Sequence, residues 1–214
     1  MSKNSSSVPD LDIKYLNRNF DLLYIGSSSS EDIELPFQIT QKNFLYYAEY
    51  DLNKEYNHHL INSLSNIKRS IDCQLDCLLY RFGLLEKSRK EDWNFPKKID
   101  CLNKIGVISP RILIKINQKR NLLEHEYIFP IKDDVIDAFD VAMLFIAYTE
   151  KFLKGTFSNF EVINEETDDY FDVLLDYKSY KLLFSKHDKK LIEIDIYNEN
   201  YLEYLKWYVS IISK

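Results

Sequence analysis

Glycine and proline are scarce in this 214-residue chain, with four and five copies. Each costs about 1 to 3 kcal/mol inside a helix. Their scarcity excludes a turn-rich or low-complexity chain and favours long helices. Only three cysteines are present, Cys73, Cys77 and Cys101, which excludes an even disulfide framework. Cys73 and Cys77 stand four apart, on one helix face. A zinc site would need two further ligands at a workable spacing, and His58 and His59 complete no such motif. All three cysteines are expected as buried thiols, and no metal or cofactor is expected. The sequence has no run of about 18 apolar residues and no charged-then-apolar leader, so it reads as a cytoplasmic protein without a membrane span. The formal charge of −6 excludes a basic coat for bulk nucleic acid, though not a local basic site.

What is present is enough apolar material for a real core: 45% hydrophobic and 14% aromatic residues. The length suits one domain, or one domain with an appendage. Residues 1–35 carry two serine runs and read as a poorly ordered or loosely docked segment, although residues 11–25 have apolar character. From residue 37 the pattern turns helical, with Phe44, Ala48, Leu52 and Tyr56 in one stripe. Leu60, Leu64, Ile67, Ile71, Leu75, Leu78, Phe82 and Leu85 alternate spacings of three and four, which predicts a long amphipathic helix over 58–87. Its stripe belongs to a bundle core. A short helix follows Pro96 and ends near Gly106. Ser109-Pro110 opens another, since serine caps free N–H groups and proline is tolerated at the first helical position. A further helix starts near Lys132 and runs to Gly155. It is apolar on most sides, so it is expected at the centre of the bundle.

After Gly155 the rhythm changes to short β-rich pieces, of which "LIEIDIY" alternates with period two. Residues 185–190 read as a hairpin turn, and the last segment as a closing amphipathic helix. The expected fold is therefore mainly α. A bundle of four to five helices over 36–156 is followed by a small C-terminal antiparallel β-sheet plus helix over 157–214.

One stretch carries chemistry. "KRNLLEHEY" (119–127) places Arg120, Asn121, His125 and Tyr127 at the end of a predicted helix. On a wheel of 100° per residue, Asn117, Asn121 and His125 share a face, while Arg120 stands about 140° from His125. Tyr127 falls on the apolar face, where core packing is the plain reading. Basic residues are dense upstream: positions 97, 98, 104, 111, 115, 119 and 120 against one acid, Asp100. Arg111, Lys115 and Lys119 form a stripe at spacing four, which suits an anionic ligand such as RNA phosphate, or is simply a solvated helix face. Glu124 and Glu126 add negative charge beside the histidine.

The combination resembles the HEPN family, whose nucleases carry an Arg, usually a polar residue next, and then a His within a helical bundle. Arg120, Asn121 and His125 match that pattern over a region of about 37–156. The Tyr two beyond the His resembles HEPN toxins paired with minimal nucleotidyltransferase antitoxins, in which the tyrosine can receive AMP; Tyr127 is the matching position. The resemblance implies a HEPN-like bundle and a metal-independent endoribonuclease of the toxin or antiphage-effector kind. The 2′-hydroxyl would attack the adjacent phosphate and leave a 2′,3′-cyclic phosphate. His125 would move protons, Arg120 would hold the transition-state charge, and Asn121 would orient His125 or bind phosphate. One histidine cannot be both base and acid at once, so a homodimer that faces two such helices is expected. The implied partners are RNA and a nucleotidyltransferase-type antitoxin. The alternative is a HEPN-like module that binds RNA, nucleotide or protein without cleaving. Gly26-Ser27 resembles the opening of a nucleotidyltransferase signature, but no aspartate pair follows, and that reading is excluded.

Overall fold

The computed structural model describes residues 11–108, 113 and 129–214. The chain divides into two compact units. One is formed by residues up to Glu31 together with Phe157–Lys214, the other by Asp32–Thr156. Among the described residues no helix is long and apolar enough to cross a membrane.

The first unit is a five-stranded antiparallel sheet in the order β1-β2-β3-β4-β5. Its strands are β1 (Leu23–Glu31), β2 (Thr156–Asn164), β3 (Tyr170–Asp176), β4 (Lys181–Lys186) and β5 (Lys189–Asp195). About half the chain is helical and 21% lies in this sheet, so the fold is α+β. The expectation of a mainly α fold with a small C-terminal sheet is overturned. The sheet gains a fifth strand from residues 23–31, which carry no apolar alternation. Beyond Ile25 every side chain of β1 is exposed, so no buried apolar contact holds that part of the strand; Ser29 Oγ donates to the Asn159 carbonyl at 3.5 Å and Glu31 accepts from the Ser158 hydroxyl.

Along β2, β3 and β4 burial alternates with period two. The register puts Phe160 opposite Val173, and Val173 opposite Phe184. Helix α7 (Tyr201–Ile211) covers this apolar face. Phe160 meets Tyr208 at 5.6 Å between ring centroids, and Phe184 meets Trp207 at 5.7 Å. Helix α1 (Ile13–Arg18) is capped by Asp12, whose side chain accepts the Tyr15 N–H at 2.7 Å. It meets α7 where the Ile13 N–H donates to the Tyr204 hydroxyl at 3.1 Å. At the far end Lys214 Nζ donates to the carbonyls of Phe20, Asp21 and Leu23. The β4–β5 hairpin turns through His187 and Asp188, at φ of 48° and 60°.

The second unit is helical: α2 (Gln41–Leu52), α3 (His59–Arg81), α4 (Leu85–Lys90), α5 (Phe95–Lys104) and α6 (Lys132–Thr149), followed by a 3-10 turn at Glu150–Phe152. The stripe expected over 58–87 is broken at Gly83. There φ is +70°, a left-handed stop that ends α3 and lets α4 start afresh. Asn94 caps α5 by accepting the Lys97 N–H at 3.0 Å, with Pro96 just inside.

The central helix is α3, not α6. α3 packs on α2, α4, α5 and α6. Ile67, Ile71, Leu75 and Leu78 on it are wholly buried. α6 leaves Leu144 68% and Tyr148 58% exposed. An apolar surface on most sides of a helix does not by itself decide which helix has neighbours all round.

Candidate functional site

The site residues read from the sequence, Arg120, Asn121 and His125, lie outside the described residues, as do Arg111, Lys115, Lys119 and Tyr127. α5 precedes the segment and α6 follows it, and α6 carries Asp133 and Asp134 in its first turn, at its positive end. Leu113 is buried. Together with Val107, Ile108, Leu144, Phe145 and Tyr148 it borders a largely apolar cavity of about 570 Å³.

The upstream part of the basic stretch is described, and it is already partnered. Lys97 reaches Glu91 at 3.2 Å, Lys98 reaches Asp76 at 2.6 Å and Lys104 reaches Asp100 at 2.8 Å. Hydrogen bonding to Asp100 raises the Lys104 pKa and keeps that ammonium charged. These three lysines are therefore tied to carboxylates of their own chain.

Two side-chain clusters in the helical unit stand out, and the first of them escaped the sequence reading. The first closes the α2–α3 junction. Asp51 accepts from the Tyr56 hydroxyl and from Asn66 Nδ2 at 3.1 Å, and Asn62 Nδ2 donates to the Tyr56 oxygen at 3.2 Å. The rings of His58 and His59 stand edge-on to Tyr56, at 4.8 and 5.9 Å. The hydrogen bond to Asp51 raises the Tyr56 pKa. The phenol is thus a protonated donor at neutral pH, and the cluster is a clasp rather than a nucleophile. Tyr56 was read as the last member of a helical stripe. It lies beyond the end of α2, held by Asp51 instead. The signal that could have found it was the Asp, Tyr, His, His and Asn density in residues 51–62.

The second cluster is the thiol pair Cys73 and Cys77. Cys77 and Cys101 are buried as expected, but Cys73 is only partly so. Its sulfur lies 3.8 Å from the Ile39 carbonyl oxygen, while the Cys77 sulfur lies 3.6 Å from Gln41 Oε1. Among the described residues no group of three or more His, Cys, Asp or Glu side chains could hold a metal ion.

No family model matches the chain, and neither the curated proteins nor the solved structures give a match.

Proposed function

We propose that the chain is an endoribonuclease of the HEPN kind, working in the cytoplasm as a homodimer and cleaving RNA without a metal ion. The observation that carries this reading is the motif Arg120-Asn121…His125 with Tyr127 two residues beyond. It is supported by the helical character of the unit whose sequence contains it, with α5 before the motif and α6 after. The 2′-oxygen attacks phosphorus and the 5′-oxygen leaves. His125 of one copy accepts the 2′-hydroxyl proton, and the partner's histidine protonates the leaving oxygen. Arg120 binds the phosphoryl oxygens through two parallel N–H groups, which favours the more highly charged transition state. Arg111, Lys115 and Lys119 hold the flanking phosphates. In a toxin of this kind a nucleotidyltransferase-type antitoxin would silence the site by placing AMP on Tyr127.

A second reading has its own support. Glu124 and Glu126 flank the histidine, the chain is acidic, and the described lysines upstream are paired within the chain. Those features favour a HEPN-like module that binds RNA, nucleotide or protein without cleaving it. Purified protein, Arg120→Ala and His125→Ala, each incubated with structured and unstructured RNA in EDTA, separate the two. The nuclease reading requires cyclic phosphate ends from the parent chain and loss of cleavage in both variants. RNA binding by a folded dimer that cuts nothing, and that His125→Ala leaves intact, supports the module instead.

A further inference from the structure

Most of the large apolar side chains left exposed among the described residues belong to the helical unit, on α2 and on α6 with its approach. On α6 they gather on one face. Met143 is 46% exposed, and Leu144, Ala147 and Tyr148 are exposed with it. At about 100° per residue, Asp140, Leu144 and Ala147 lie within about 60° of one another, with Met143 and Tyr148 on either side. Leu144 and Tyr148 also border the apolar cavity, so the apolar surface continues from the helix into a recess. α2 packs beside α6, tied by Lys42 to Glu150 at 2.7 Å, and adds Tyr46, Tyr47 and Tyr50 to the exposed surface.

Opposite charges bracket the patch on α6. Asp137 and Asp140 stand exposed before it, and among the described residues neither has an ammonium partner. Lys151 follows it, in the 3-10 turn that continues the helix. Its ammonium stands over the Tyr148 and Phe152 rings, 4.9 Å from each centroid, and has no carboxylate partner among the described residues. The adjacent Glu150 is already held by Lys42 and Lys154, at 2.7 and 3.1 Å. The order acid, apolar, base along one face complements itself when one copy is reversed.

We propose that this face of α6 pairs with the same face of a second copy, the two helices running antiparallel about a two-fold axis between Phe145 and Ile146. That axis sets Asp140 opposite the partner's Lys151, and Met143 and Leu144 opposite the partner's Tyr148 and Ala147. Each contact is made twice. A parallel pair would place aspartate beside aspartate and lysine beside lysine, which repulsion disfavours. Burial of Met143 and Leu144 supplies the attraction, and the Asp140–Lys151 pairs set direction and register. One helix face is smaller than the roughly 800 Å² per partner of a standard interface, so a dimer that exchanges subunits readily is expected. The ribonuclease reading calls for a second copy but names no surface. The pairing of α6 stands on residues outside the motif and does not rest on that reading.

The test is sedimentation velocity of the full-length chain over a concentration series, where a reversible monomer–dimer equilibrium is expected. Leu144→Asp, Asp140→Lys and Lys151→Asp should each weaken the dimer about tenfold or more. All three positions are exposed, so the variants should keep the circular dichroism spectrum of the parent. Mixed with each other, Asp140→Lys and Lys151→Asp should recover the lost affinity, because every pair across the axis then has opposite signs again. A parent chain that stays monomeric, a dimer indifferent to these changes, or a mixture no tighter than its components would each overturn the proposal. An indifferent dimer that still cleaves RNA would leave the ribonuclease reading standing. A dimer that responds as expected but cuts no RNA would uphold the pairing alone.

Discussion

Gln74 on α3 donates through Nε2 to Thr149 Oγ1 on α6 at 2.7 Å, and neither side chain has any solvent exposure. Thr149 in turn donates to the Phe145 carbonyl at 2.7 Å. The bond joins the central helix to the helix that follows the motif. Thr149→Val keeps the shape and removes the acceptor, which strands a buried amide N–H. The expected loss is about 1 to 3 kcal/mol in urea unfolding. Adding Gln74→Leu to that variant should recover part of the loss, because the stranded donor goes too. A double variant less stable than Thr149→Val would count against this account of the pair.

Glu193 lies between Lys181 and Lys190 on the sheet, and its hydrogen bonds to the two ammonium groups lower its pKa to about 2. A carboxylate whose folded pKa is depressed stabilises the fold above its unfolded pKa, and that contribution fades as pH falls through the folded value. The contribution is therefore whole at neutral pH and lost between the ordinary glutamate value of 4.5 and about 2. A carboxyl NMR titration should place the Glu193 midpoint well below the other exposed glutamates. Glu193→Gln should flatten the acid limb slightly, since exposed ion pairs contribute little.

The β4–β5 hairpin uses two non-glycine residues with positive φ, His187 and Asp188. Such two-residue turns favour Asn-Gly, because a side chain is strained in the left-handed region. Asp188→Gly should be neutral or raise stability by about 0.5 kcal/mol, whereas Asp188→Val should cost about 1 to 2 kcal/mol. Thermal unfolding of both variants orders them against the parent.

For the proposed RNA contact, neutralising Lys115 and Lys119 to Gln should weaken binding across sequences alike. It should also reduce the slope of log affinity against log salt by roughly 1.4 to 1.8, the release of two counterions. Lys98→Gln should leave that slope unchanged, because Lys98 is held by Asp76 at 2.6 Å. Fluorescence anisotropy over a salt series reads both.

Elements with a strong side-chain rhythm were legible in the sequence. The three-and-four spacing from Leu60 to Leu78 gave α3, Asn94 and Pro96 flank the start of α5, and residues 185–190 do contain a hairpin turn. Strand β1 was not legible, because pattern reading senses burial and LYIGSSSSE buries almost nothing. Gly26, first weighed as part of a catalytic signature, has a plainer reason to be glycine. A Cβ there would stand 2.5 Å from Ile163 Cδ1 on the neighbouring strand. The candidate motif was legible as residue types at a spacing. Spacing does not supply the distance between Arg120 and His125, and the rank of α3 over α6 depended on neighbours that no single stretch reveals.

The sheet draws its first strand from one side of the helical unit and the other four from beyond it. On the ribosome, residues 23–31 therefore emerge long before β2 exists to pair with them. The helical unit can fold from its own local contacts while this polar strand waits. The serines that hide β1 from a pattern reader also suit that wait, since an unpaired edge that is polar beyond Ile25 offers little to a passing strand from another chain.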